Sequence, residues 1–307
     1  KSIATELKGR LQNVENSMIE AGTWHSLVFR GWRRVYPKVV VDGDKLWNII
    51  REVQKTKPIL EKHGSAAREL TSLAKQTMFK GDEPQEQWQE LIDHYGVECE
   101  FREEAIIQVS RELFERSKQQ CNTTIDFDDM LWAPLHNEVE LPKYDTILID
   151  EAQDTNRARR ELATRCMEKD GKLIYLGDEH QAIYGFSGAD AQAMNLIRDK
   201  VNARLLPLTV SWRCAQEVIR LAQQWVPDIQ FAENAAVGQI LGTGVGEMYT
   251  GLSKGTLSPT IPRMGDAILC RNTKPLVELA FFCIRHRISA TIEGRDIGKR
   301  LIKLADK

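Results

Sequence analysis

Long apolar runs are missing from this 307-residue chain. The longest, residues 279–284 (Leu-Ala-Phe-Phe-Cys-Ile), falls far short of the roughly 20 residues that carry a helix across a bilayer. No membrane partner is therefore expected. A secretory leader is not visible either, because Lys1-Ser2-Ile3-Ala4 runs straight into an amphipathic pattern. Charge of one sign is lacking: the formal net charge is −2, which does not advertise a polyanion partner, although a local groove can be basic when the whole is not. The six cysteines are scattered, none forms Cys-x-x-Cys, and no histidine lies at metal-ligand spacing. That pattern speaks against a structural zinc site, and reduced, mostly buried thiols in a cytoplasmic compartment are expected. Internal repeats and low-complexity tracts are absent. The length suits roughly two domains with cores of their own.

The most informative stretch is Thr146-Ile147-Leu148-Ile149-Asp150-Glu151-Ala152-Gln153-Asp154. Consecutive aliphatics predict a short strand buried on both faces. Two carboxylates follow where that strand ends, which is where ligands bind in open α/β sheets. An acid pair there suits a magnesium–nucleotide complex: one carboxylate holds the metal, and the next orients or deprotonates a water. By itself an Asp-Glu after an apolar run is also a common helix start.

Along the chain, Ala4, Leu7, Leu11 and Val14 repeat at helical spacing. Residues 21–29 read as a short strand turning into a helix. Residues 37–120 are polar and helical, with apolar stripes at Leu46, Ile49, Ile50 and Val53, at Trp88, Leu91, Ile92 and Tyr95, and at Ile106, Val109 and Leu113. They contain no convincing buried strand and suggest an all-helical insertion. Strands are then predicted at 144–149, 172–176 and 205–210, with helices near 155–167 and 190–201 between them, an alternation that argues for parallel βαβ units. A helix is expected at 215–225, a loop at 226–263, and a shorter α/β unit from 267–270, 275–285 and 288–292.

Three further segments carry possible chemistry. Gly177-Asp178-Glu179-His180-Gln181-Ala182-Ile183-Tyr184-Gly185-Phe186 follows a predicted strand. Gln181 there can reach a terminal phosphate. Tyr184 and Phe186 either stack on bases or fill space between domains. In Leu208-Thr209-Val210-Ser211-Trp212-Arg213-Cys214, Arg213 either completes a phosphate site as an arginine finger or makes an inter-domain salt bridge. In Gly22-Thr23-Trp24-His25-Ser26, Trp24 can stack on a base, whereas a lone His25 is more often a satisfied, partly buried histidine.

Taken together and in order, these segments resemble the UvrD/Rep-type superfamily 1 DNA helicases. Asp150–Asp154 is similar to that family's acidic Walker B motif, Gly177–Asp190 to motif III, and Ser211-Trp212-Arg213-Cys214 to the Asn-Tyr-Arg-Ser of motif IV. Gly22–Ser26 resembles Thr-Phe-His-Ser with Trp24 in place of Phe. Ile125-Asp126-Phe127-Asp128-Asp129-Met130-Leu131 resembles an Asp-Phe-Asp-Asp-Leu segment, and Ala267–Thr273 the opening of the later part of the second motor domain. Several motifs in fixed order are far more specific than any one of them.

The resemblance implies an α/β fold: a RecA-like P-loop NTPase motor domain with a parallel sheet (1–36 and 121–204), an all-helical insertion (37–120), and the start of a second RecA-like domain (205–307). It implies ATP and Mg2+ as cofactors, single-stranded DNA and duplex junctions as partners, and 3′-to-5′ translocation. It gives Asp150 the magnesium, Glu151 the water, and Gln181 and Arg213 the γ-phosphate. Trp24, His25, Tyr184, Phe186, Arg271 and Asn272 would contact DNA. The family usually has Trp where Phe186 stands, so stacking there is expected to be weaker. The phosphate-cradling loop that the family needs before motif Ia is not in the chain. Gly242-Thr243-Gly244-Val245-Gly246 precedes Glu247 rather than Lys-Ser/Thr, and reads as a loop. An internal fragment of a helicase is the expectation, inactive by itself in hydrolysis. The alternatives are a non-catalytic DNA-binding module and the motor part of a helicase–nuclease.

Overall fold

A computed structural model describes residues 19–182, 192–240, 265–270, 273–285 and 287–292. The expectations for residues 1–18, for Tyr184 and Phe186, for Gly242–Gly246 and for Arg271 and Asn272 lie outside the described residues. The chain divides into two compact units, Lys1–Leu205 and Leu206–Lys307. Among the described residues no helix is long and apolar enough to cross a membrane. Four of the six cysteines (Cys99, Cys121, Cys166 and Cys283) are buried free thiols.

The first unit opens with α1 (Trp24–Val35). A short strand turning into a helix was expected over residues 21–29; the helix is present and the strand is not. The Thr23 Oγ1 accepts the Ser26 N–H at 3.3 Å, and such an N-cap satisfies a backbone donor that the first helical turn leaves orphaned. This local bond outweighs the strand preference of the apolar side chains that follow. β1 (Val40–Val41) pairs in parallel with β2 (Thr124–Ile125), Val40 facing Thr124 and Val41 facing Ile125. The chain thus leaves and returns at adjacent positions.

Between β1 and β2 run α2 (Lys45–Gln54), α3 (Ile59–Gln76), α4 (Gln85–Tyr95) and α5 (Glu103–Gln120). Their apolar stripes turn inward as the spacing predicts: Leu46, Ile49, Ile50, Val53, Trp88, Leu91, Ile92, Ile106, Val109 and Leu113 are all buried. α4 stops at Gly96, whose φ of +65° is the left-handed conformation that closes helix ends and that glycine adopts without strain. Phe79, Trp88, Phe114 and Trp132 form a chain of edge-to-face rings with centroids 5.2, 6.1 and 5.3 Å apart, a favourable quadrupole arrangement. Trp132 belongs to α6 (Phe127–His136). The helical core therefore continues into the elements on either side of it, taking in Trp32 of α1 and Met130, Trp132 and Ala133 of α6.

Next come β3 (Tyr144–Ile149), a 3-10 turn (Ala152–Asp154), α7 (Arg157–Cys166) and β4 (Met167–Tyr175). β3 has the predicted bounds. β4 begins earlier than expected, because Met167 pairs with Tyr144 ahead of an irregularity in the register. The two strands are parallel, with Ile147 opposite Leu173 and Ile149 opposite Tyr175. Burial on both faces is not observed. Ile149 is 6% exposed, but Leu148 is 63% and Ile174 42% exposed. Side chains alternate across a strand. The face bearing Ile147, Ile149, Leu173 and Tyr175 packs with Ala163 of α7 and Ile197 of α8 (Ala193–Val201). The face bearing Leu148 and Ile174 stays open.

The second unit contains β5 (Val210–Ser211) in parallel with β6 (Gln230–Phe231), together with α9 (Gln216–Ala222) and α10 (Thr273–Arg285). The strand predicted at 205–210 shrinks to its last residue and one more. Leu205, Leu206 and Leu208 are 70%, 68% and 90% exposed, and β6 offers only two residues to pair with. β6 falls in the segment expected to be loop. Residues 267–270 and 288–292, predicted as strands, form none: a short apolar run becomes a strand only where a partner edge is present.

Candidate functional site at the end of β3

Backbone bonds close the ends of β3 and β4 on each other. Leu176 N–H donates to Ile149 O at 2.8 Å, and Ala152 N–H donates to Leu176 O at 2.8 Å. Asp150 and Glu151 sit between these two bonds, and both are exposed. Glu151 has φ +52° and ψ +46°, a left-handed conformation that side-chain-bearing residues rarely adopt and that costs on the order of 1–3 kcal/mol. The Asp150 Oδ1 accepts the Glu151 N–H at 3.0 Å, which supports the turn. Asp150 remains a solvent-facing hard oxygen donor. One or two such carboxylates, completed by water and phosphate oxygens, are what Mg2+ takes, so the donor set fits a magnesium ion. Among the described residues no cluster of three or more acidic, histidine or cysteine side chains forms a self-sufficient metal cage.

Gln153 is 3% exposed and joins the two strand ends. Its Nε2 donates to Glu151 Oε2 at 2.6 Å, and its Oε1 accepts the Asp178 N–H at 3.1 Å. Gly177 makes room for it: a Cβ there would lie 2.6 Å from Gln153 Oε1 and 3.1 Å from the Ala152 and Gln153 nitrogens. The Asp178 Oδ2 accepts from Gln181 Nε2 at 2.8 Å, and its Oδ1 accepts the His180 N–H at 3.0 Å. Burial raises the Asp178 carboxyl, but the hydrogen bonds from Gln181 and His180 outweigh it and hold the group below its ordinary range. Asp154 moves the other way, raised by burial and by the Glu151 charge against the pull of Arg159. Its Oδ1 is buried without a hydrogen-bond partner.

A second polar cluster lies behind the turn. The Arg159 guanidinium donates to Asp154 O at 3.0 Å. The His25 ring meets Phe127 edge-on with centroids 6.0 Å apart. Burial, then Arg159, lower the His25 pKa, with Asp128 and the Phe127 backbone opposing. Asp128 accepts from Ser72 Oγ and from Gln76 Nε2 at 3.0 Å. Asn156, the N-cap of α7, reaches Gln76 Oε1 at 3.4 Å.

Of the site residues expected from the sequence, Asp150 and Glu151 after β3 and Gln181 after β4 lie on two adjacent strand ends linked through Gln153 and Asp178. Trp24 is half-buried and packs against two of the apolar clusters. His25 is half-buried beside Phe127. Arg213 is exposed in the second unit, just after β5. Sequence reasoning passed over Gln153 and Asp178 as bridging groups, although both stand inside the segments it singled out. It also missed the buried pair Lys45 and Lys75, for which the polar helical text carries no signal.

A parallel α/β layout, with an acidic turn after one strand and an amide-bearing turn after the next, places the protein in the class of α/β proteins whose ligands sit at strand ends. Residues 1–202 match the UvrD/REP helicase N-terminal domain, and the chain belongs to that family. Among similar proteins is the ATP-dependent DNA helicase PcrA of Staphylococcus epidermidis, 24% identical over 244 residues, covering 72% of this chain and 32% of the relative. The ATP-dependent DNA helicase PcrA of Staphylococcus aureus is 23% identical over the same length and coverage. The chain thus spans about a third of the length of these relatives.

Proposed function

We propose that this chain is part of an ATP-driven motor that moves 3′-to-5′ along single-stranded DNA and unwinds duplex at junctions. The observation that carries the reading is the family match over residues 1–202, together with an acid pair at a parallel strand end within that span. The domain plan goes with it: a RecA-like motor domain from 1–36 and 121–204, a helical insertion at 37–120, and the start of a second RecA-like domain at 205–307. The parallel pairing of β1 with β2 on either side of α2–α5 supports the insertion.

In this reading Asp150 holds Mg2+, and Glu151, one residue on, orients and deprotonates the attacking water. The metal supplies charge neutralisation at the phosphates when bound. Gln181 leaves Asp178 to hydrogen-bond the terminal phosphate. Arg213, from the second motor domain, contacts the same phosphate. Trp24, His25, Tyr184, Phe186, Arg271 and Asn272 face the DNA strand. The test is ATP hydrolysis by the full-length parent motor with and without single-stranded DNA. Stimulation by DNA is expected, together with a loss of turnover of about 100-fold or more in Glu151→Gln. Turnover indifferent to DNA, or retained in Glu151→Gln, overturns the reading.

A further inference from the structure

We propose that Gln153 is a positioning residue for Glu151, fixing its carboxylate and linking it through Asp178 to Gln181. The proposal rests on the reading of Glu151 and Gln181 given above.

The geometry is a chain of three hydrogen bonds: Gln153 Nε2 to Glu151 Oε2 at 2.6 Å, Asp178 N to Gln153 Oε1 at 3.1 Å, and Gln181 Nε2 to Asp178 Oδ2 at 2.8 Å. Three features separate this from ordinary satisfaction of a buried amide. First, Gln153 is buried while the carboxylate it donates to is on an exposed residue. Water would solvate that carboxylate without help, so the bond serves to order it. Second, the backbone at Glu151 is left-handed, so its side chain leaves the turn in a direction that helical or extended backbone would not give. Third, the two ends of one amide are used on two different strand ends, with Gly177 keeping the space open. A buried amide has both ends satisfied when it is well placed. Here each end reports the position of a different catalytic segment. When Gln181 gives up Asp178 for a phosphate, the hydrogen bonding that steadies Asp178, and through it Gln153 and Glu151, changes at the same moment.

Two variants separate the roles of the amide. Gln153→Met keeps the shape and removes both polar ends; Gln153→Glu keeps an acceptor for the Asp178 N–H and removes the donor to Glu151. In both, introduced into the full-length parent motor, kcat for ATP is expected to fall by about ten-fold or more, while KM stays within about two-fold, the split that marks a group acting on the reacting centre rather than on binding. Only Gln153→Met should also lose hydrogen-exchange protection at the Asp178 amide. A folded variant of either kind with wild-type kcat overturns the proposal. NMR relaxation of the Glu151 side chain is read in parallel and needs no turnover. Its order is expected to drop in both variants, and unchanged order overturns the positioning role even where hydrolysis is absent. If the full-length wild-type motor fails to hydrolyse ATP, or its Glu151→Gln variant retains turnover, it is the assignment of Glu151 that fails, and the relaxation measurement still decides whether Gln153 holds it.

Discussion

The Lys45 ammonium lies 2.6 Å from Asp129 Oδ2, with side chains only 1% and 0% exposed. Lys75 completes the cluster, 2.7 Å from the other Asp129 oxygen and 3.0 Å from Asp126 Oδ2. Ser117 contributes its carbonyl to Lys45 at 2.8 Å and its Oγ to Lys75 at 2.9 Å. Asp126 and Asp129 also form the capping box of α6. One acidic pair therefore starts α6 and fastens α2, α3 and α5 to it.

Removing one partner of this cluster leaves a buried ammonium uncompensated. Burial raises Asp129, yet Lys75 and Lys45 outweigh it and hold its carboxyl below the ordinary range. Asp129→Asn is expected to cost about 3–5 kcal/mol in urea denaturation, and to lose less when Lys45→Met accompanies it. Additive losses in the double variant would contradict the pairing.

His25 predicts a pH dependence. Its pKa is lowered by burial and by Arg159, so near and below the model-peptide value of about 6.5 the unfolded chain binds more protons than the folded one. Stability then rises with pH across that window and is lost as pH falls through it. Comparing wild type with His25→Gln at pH 7.5 and 5.5 should show wild type losing more on acidification. Equal losses would mean that His25 titrates alike in both states.

Gly177→Ala should be destabilising although it changes one methyl group. The new Cβ would meet Gln153 Oε1 at 2.6 Å and two backbone nitrogens at 3.1 Å, and overpacking of this kind costs about 1–3 kcal/mol. Thermal denaturation checks the cost, and turnover of the full-length parent motor is expected to fall with it because Gln153 must move.

Glu151→Gly should separate stability from activity. Glycine takes the left-handed backbone freely, so relief of strain is expected to offset the lost side chain and leave stability equal or higher by up to about 1 kcal/mol. Hydrolysis by the full-length parent motor carrying the change is expected to disappear. A marked loss of stability would show that the carboxylate, rather than the turn, holds the strand end together.

Much of the fold was legible because its signals are local. The bounds of β3 follow from an apolar run that ends at Asp150, and the helices of residues 45–120 follow from stripes with helical spacing that Leu46, Ile49, Ile50 and Val53 typify. The errors share a cause. The short strand expected to lead into the helix at 21–29, and the strands expected at 205–210, 267–270 and 288–292, rested on apolar character alone. Thr23 capped a helix at the first, β6 offered the second only two residues to pair with, and the others found no partner edge among the described residues. The open face of Leu148 and Ile174 likewise depends on what lies beside the sheet.

The sequence by itself determined which residues could do chemistry. An acid pair after an apolar run, a glutamine in the next strand-end loop and an arginine before a helix are read directly from residue type and order. Only the tertiary structure decided how they are held. A hydrogen bond between Gln153 and Asp178, or an ion pair between Lys45 and Asp129, joins residues 25 and 84 positions apart. No periodicity or spacing encodes such a contact: it exists because packing of the intervening elements brings the two groups within 3.1 Å or less and excludes the water that would otherwise replace each partner.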